Sequence, residues 1–194
     1  MLTTLTTIKQ RLAIPGADPQ YDTLLTNTIK AVSARFDKET RRTLARTENF
    51  TQEFDGATTE VVAACYPIES VTKFETKTNE TDGWVEQTGV QFLTRRSCII
   101  SLPSAICNLP SATARVTYTG GYVLPGTDPQ PGQTPLPDDL EQAAVEQVAF
   151  WFTTRDKLGL KTYWPVSAAY YQFATQDLLD SVRAVLKPYQ RWSL

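Results

Sequence analysis

The chain of 194 residues contains no histidine. That excludes the Ser-His-Asp and Cys-His catalytic designs, histidine-ligated zinc and any histidine-based pH switch. Cysteine is scarce. Cys65, Cys98 and Cys107 include no C-x-x-C pair, and their odd number and spacing match no zinc ribbon. They are expected to be buried thiols in a reducing compartment, with a disulfide or redox pair as the alternative. A positive balance is also missing: 19 Lys and Arg face 21 Asp and Glu, a net charge of −2. The whole-chain field therefore does not favour nucleic acid or acidic membranes. No apolar run approaches the roughly 20 residues that span a bilayer. The opening MLTTLTTIKQRLAIPG lacks the basic start and apolar run of a signal peptide. These absences predict a chain made on the cytoplasmic side, with no membrane partner.

The short motifs of common chemistry are absent too. There is no G-x-x-x-x-G-K-[ST], no G-x-G-x-x-G opening a helix and no G-x-S-x-G. Asp138 with Asp139, and Glu141 with Glu146, are carboxylate pairs. Three of those four sit where a helix start favours anions regardless of catalysis. EFDGATTE at 53–60 has acids and a glycine but not the ligand cadence of a calcium loop. No catalytic residue, cofactor site or metal site is predicted, so a structural or binding role stands against an unrecognised enzyme.

What is present changes period along the chain. Leu5, Ile8 and Leu12 predict a short helix, capped by Thr3 or Thr4 and stopped at Pro15-Gly16. A second helix is predicted from Asp18-Pro19 to about residue 46, with Tyr21, Leu25, Ile29, Val32 and Phe36 as its apolar stripe. Arg41, Arg42 and Arg46 lie toward its C-terminal end. They form either a solvated face or a face for an anionic partner. Residues 48–119 then alternate in short β-branched and aromatic runs, including VQFL at 90–93, which predicts six or seven antiparallel strands.

Residues 120–142, GGYVLPGTDPQPGQTPLPDDLEQ, hold five of the twelve prolines and four of the nine glycines. This is a helix-proof arm ahead of an apolar third helix. That helix starts at Pro137-Asp138-Asp139 and is expected to end near Leu158-Gly159. Leu140, Ala144, Val148 and Trp151 share one of its faces, and Phe150 lies off it. Either the helix sits in the middle of the fold or its second side meets another chain. Residues 162–173 are expected to be irregular around Pro165. A last helix carries Leu178, Leu179, Val182, Val185 and Leu186, with Asp177 as a candidate cap, and the tail YQRWSL ends in Trp192 and Leu194.

The expected fold class is α+β: a bundle of about four helices with an inserted small antiparallel β domain and a proline-rich extended arm. Its expected divisions are a helical part at 1–47 plus 137–194, a β domain at 48–119 and the arm at 120–136.

These residues resemble, in order, the head–tail connector proteins of tailed phages, also called adaptor or head-completion proteins. LTTIKQRLAIPGADPQYDTLLTNTIKAVSARFDKETRR is similar to that family's short helix, acidic turn and long helix. YPIESVTKF at 66–74 resembles its strand entry, and VTYTGGY at 116–122 its strand-to-arm junction. LPDDLEQAAVEQVAFWFTTRDKLGL resembles its third helix and SVRAVLKPYQRWSL its closing helix and tail. Residues 76–112 and 160–175 carry least of the likeness.

The resemblance implies a structural subunit rather than an enzyme. Its partners would be copies of itself in a ring, commonly twelve-fold, then the portal and the next tail or head-completion protein. DNA would pass through without specific binding. The implied place is the head–tail junction of a virion; the alternative is another virion assembly protein. The candidate interface residues are Arg41, Arg42, Arg46, Tyr122, Leu124, Pro125, Phe150, Tyr189, Trp192 and Leu194. The arm is expected to lie on a neighbouring subunit or the portal, with a loop over its own subunit as the alternative.

Overall fold

Helices and strands follow the change of period in the sequence. The structure, a computed structural model, describes residues 1–102, 113–157, 162–163, 171–172 and 177–192. The elements run α1 (Leu5–Arg11), α2 (Asp22–Thr40), β1 (Thr47–Asp55), β2 (Glu60–Val62), β3 (Ile68–Lys77), β4 (Val85–Glu86), β5 (Leu93–Arg95), β6 (Ile99–Ser101), β7 (Thr113–Gly120), β8 (Tyr122–Val123), β9 (Thr134–Pro135), α3 (Asp138–Thr153), β10 (Thr162–Tyr163), β11 (Tyr171–Gln172) and α4 (Asp180–Leu186). The fold is α+β, as the sequence predicts. It divides into two compact units: Met1–Glu39 with Pro137–Tyr189, and Thr40–Leu136 with Gln190–Leu194. No helix among the described residues is long and apolar enough to cross a membrane.

In the helical unit, α1 starts where the Thr4 hydroxyl accepts the Thr7 N–H at 3.1 Å. The α2 stripe of Leu25, Ile29, Val32 and Phe36 is buried, as are Leu140, Ala144, Val148 and Phe152 of α3 and Val182 and Leu186 of α4. Ala143, Val145 and Gln147 are buried as well, so α3 is enclosed over most of its circumference. Gln147 is fully buried and satisfied. Its amide donates to the Asp177 carbonyl at 3.2 Å and accepts the Leu179 N–H at 2.9 Å.

Several helix ends differ from the sequence expectation. α2 begins at Asp22 rather than Asp18, because the Lys9 ammonium takes the Gly16 and Asp18 carbonyls at 3.1 and 2.6 Å and holds that stretch as a connector. α2 stops at Thr40 rather than near 46. Arg41 turns left-handed (φ 55°), and Thr43 and Ala45 then bridge to Cys65 and Tyr122. α3 ends at Thr153, not near Gly159. There the Thr153 and Thr154 hydroxyls donate back to the Ala149 and Phe150 carbonyls at 2.9 and 2.7 Å. α4 begins at Asp180, with Leu179 rather than Asp177 at its cap; the Asp177 carboxylate instead accepts the Leu178 N–H at 2.8 Å. Residues 162–163 pair with 171–172, where an irregular stretch is expected, and the remainder of that stretch lies outside the described residues.

The second unit holds two antiparallel sheets, of strand order β1-β7-β3-β4 and β2-β6-β5. Their shared core comprises Val61, Ala63, Cys65, Phe74, Ile100, Leu102, Ala114, Val116 and Tyr118. β5 falls at 93–95 rather than at 90–93, placed by its pairing of Leu93 with Ser101 on β6. The buried Tyr118 hydroxyl accepts the Ala64 and Cys65 N–H groups at 2.9 and 3.0 Å and meets the Gln52 side-chain oxygen at 3.0 Å. Burial pushes its pKa up to about 12. Cys65 is buried, its thiol donating to the Gly120 carbonyl at 3.1 Å, and Cys98 is half-buried; Cys107 lies outside the described residues.

The proline-rich stretch is not ladder-free. β8 and β9 pair in parallel, Tyr122 with Thr134 and Val123 with Pro135, and Leu136 N–H donates to the Val123 carbonyl at 3.0 Å. Prolines exclude a longer ladder because they carry no N–H. The stretch is therefore a loop over 124–133 whose two ends are tied to each other.

Candidate subunit interface

The three arginines after α2 meet different fates. Arg41, in its left-handed turn, is exposed. Arg42 is buried, 4% exposed, with its guanidinium carbon 3.2 Å from the Tyr66 ring centroid and 5.2 Å from that of Tyr122. Its Nη2 donates to the Tyr66 carbonyl. Arg46 grips Glu69 through Nε and Nη2 at 2.8 and 3.0 Å, and Glu48 through Nη1 at 2.8 Å. Arg42 and Arg46 are thus engaged inside their own subunit. The hydrogen bonds that Arg46 donates to Glu69 and Glu48 raise its pKa further above its usual value.

Arg41 and Trp192, far apart in sequence, line one groove of about 400 Å³. Its walls are Gln52–Phe54 of β1, Thr58, Glu60–Val62 of β2, and the tail residues Arg191 and Trp192. β1 and β2 are each the end strand of their sheet, so the groove runs between two sheet edges. Side chains close one end. The Val62 carbonyl accepts from Gln52 Nε2 at 2.9 Å and from Arg191 Nη2 at 2.6 Å. The Arg191 N–H donates to the Thr40 carbonyl at 2.8 Å, which fixes the tail in place. Trp192 is 63% exposed, with Arg96 lying 6.0 Å from its ring centroid.

The other candidates are placed separately. Phe150 is half-buried and lines a groove of about 440 Å³ in the helical unit with Arg11, Leu12, Glu146, Ala149, Thr153 and Leu179. The Tyr189 hydroxyl donates to the Asp139 carboxylate at 2.8 Å. Tyr122 is 7% exposed and packs in its own unit, while Leu124 and Pro125 are half-buried at the base of the loop. Leu194 lies outside the described residues. Gln52, Phe54 and Arg191 were not singled out from the sequence. Alternation marks Phe54 as a strand residue, and nothing local announces a groove beside it.

Among the described residues, no group of three or more His, Cys, Asp and Glu is arranged to hold a metal. The Asp139 carboxylate accepts the Leu140 N–H at 2.9 Å, a use of charge at a helix start rather than of paired acids. Asp55 accepts the Ala57 N–H at 3.0 Å and closes a turn.

No protein-family model matches the chain, and no curated protein matches it. Solved structures do. A chain of the neck of an empty GTA particle, computed with C6 symmetry, aligns at TM-score 0.58 and 14% identity over 97% of this chain and 89% of that one. A chain of the native particle's neck, computed with C12 symmetry, aligns at TM-score 0.53 and 12% identity over 88% of this chain and 84% of that one. A chain of the virion of the native gene transfer agent (GTA) particle aligns at TM-score 0.55 and 14% identity over 97% and 89%. Over 88–97% of its length, this chain shares its fold with chains of the neck of GTA particles.

Proposed function

We propose that the chain is a structural subunit of the neck of a tailed phage or phage-like particle. In this reading it is a head–tail connector that forms a ring below the portal. The ring extends the DNA channel and offers a platform to the next head-completion or tail protein. The single observation that carries this is the likeness, over 97% and 88% of the chain, to neck chains of GTA particles computed with C6 and C12 symmetry. The work is assembly, not turnover.

A ring requires two different patches on each subunit, one meeting the other on its neighbour. The groove at Arg41 and Trp192, the groove at Phe150 and the tied loop supply distinct surfaces of this kind. DNA in transit must not stick, and a net charge of −2 suits that.

The test is direct. Purified portal mixed with this chain is imaged by electron microscopy and weighed by native mass spectrometry. A ring of six or twelve copies on the portal is expected. Absence of any ring, together with particles lacking the chain that still retain DNA and attach tails, overturns the proposal. A ring absent from the portal but present on the tail or shell would assign the chain to another assembly step.

A further inference from the structure

We propose that the groove between β1 and β2 receives the proline-rich loop 124–133 of a second copy of this chain. The proposal deepens the ring reading above and rests on it. Four observations carry it.

The first is that both partners are open in the single chain. Gly126–Gly132 is exposed throughout, and Trp192 at the groove mouth is 63% exposed. The loop therefore does not fill its own chain's groove. The second is chemical fit. The groove presents the rings of Phe54 and Trp192, and the loop presents the exposed Pro129 and Pro131. Proline rings pack on aromatic walls, and they need no hydrogen-bond ladder to do so.

The third is charge. Asp128 is the loop's single charged residue. The groove contains Arg41, Arg191, Glu53 and Glu60. Glu60 already pairs with Arg95 at 2.8 Å, and Glu53 lies in the field of Arg115. Arg191 is turned onto the Val62 carbonyl. Arg41 is exposed and makes no ion pair among the described residues, so it is the cation left for Asp128. The fourth is presentation. The β8–β9 ladder ties the loop's ends, and Gln133 N–H donates to the Gln130 carbonyl at 3.0 Å. A loop ordered in advance loses less entropy on docking. Loop and groove are different patches, so the contact is head-to-tail, as a ring needs.

The experiment uses a fluorescein-labelled peptide of residues 122–135, cyclised to reproduce the tied ends, titrated with the full chain and followed by anisotropy. Saturable binding is expected. Arg41→Asp and Trp192→Ala should each weaken it about tenfold or more. Aspartate tolerates the left-handed turn at position 41, so that variant folds. A peptide carrying Asp128→Arg should bind the Arg41→Asp chain better than the wild-type peptide does. In sedimentation, Arg41→Asp chains and Asp128→Arg chains should each fail to associate alone and should associate with each other in alternation when mixed, because each loop then meets the opposite charge in the other chain's groove. No saturable binding up to millimolar chain overturns the proposal. So does binding indifferent to Arg41 and Trp192, or failure of the charge swap. Rings that still form on the portal with Arg41→Asp would sink this contact and leave the ring reading standing. Binding in this groove without any portal ring would do the reverse.

Discussion

At the scale of single residues, close approach and buried charge decide most. A Cβ on Gly120 would lie 2.7 Å from the Cys65 and Pro67 carbonyl oxygens, and one on Gly121 would lie 2.6 Å from the Ala45 oxygen. Gly121 also holds φ at +99°. All three obstacles are backbone and cannot swing aside. Gly121→Ala is expected to cost about 3 kcal/mol or more, read as a fall in the urea midpoint. Glu75 is the buried counterpart. Arg115 binds it through Nε and Nη2 at 2.6 and 2.9 Å, and Lys73 sits at 2.9 Å. Hydrogen bonding from Arg115, above all, lowers its pKa from 4.5 to about 2. A depressed carboxylate stabilises the fold above its unfolded pKa and stops doing so as pH falls through the folded one. Glu75→Gln should therefore lower stability at neutral pH by about 2 kcal/mol. The gap to wild type in thermal melts should close between pH 4.5 and about 2.

At the scale of elements, α3 is the piece others are built on. Gln147 on α3 satisfies two backbone groups ahead of α4, where Leu179 supplies no side-chain cap. Gln147→Leu strands both groups and should destabilise by about 1–3 kcal/mol. Hydrogen exchange should then rise first in residues 178–186. The same element shows where sequence patterns carry far and where they stop. The stripe of Leu25, Ile29, Val32 and Phe36 was legible because a helix repeats every 3.6 residues. The end of α2 was not. Arg41 is an ordinary helix residue by propensity, and it turns left-handed where the following residues bridge to Cys65 and Tyr122. The arm was legible as helix-proof from its prolines. Its closure by β8 on β9 was not, because a two-residue parallel ladder leaves no periodic trace.

At the scale of the whole molecule, charge balance is the property that bears on DNA. Nineteen cations and twenty-one acids give no net attraction for phosphate, and Arg42, Arg46 and Arg115 are engaged internally. The chain at micromolar concentration should not shift labelled duplex DNA at physiological salt. A submicromolar affinity that falls steeply with salt would contradict this. Of the candidate interface, the sequence pointed to Arg41 and Trp192 as separate surface features. That the two line one groove, with Gln52 and Phe54 opposite, required the tail to return to Thr40 and Val62.

What the sequence determined alone is local: the class α+β, the apolar stripes, the run of short strands, the helix-proof arm and the lack of histidine chemistry. Each is written in spacing or composition within a few turns of chain. Tertiary structure decided which arginine faces water, where α2 ends, and that the tail lies along the β1 and β2 edges. Those outcomes depend on residues 24 to 151 positions apart competing for the same buried space and the same backbone groups. No local pattern encodes the winner of such a contest.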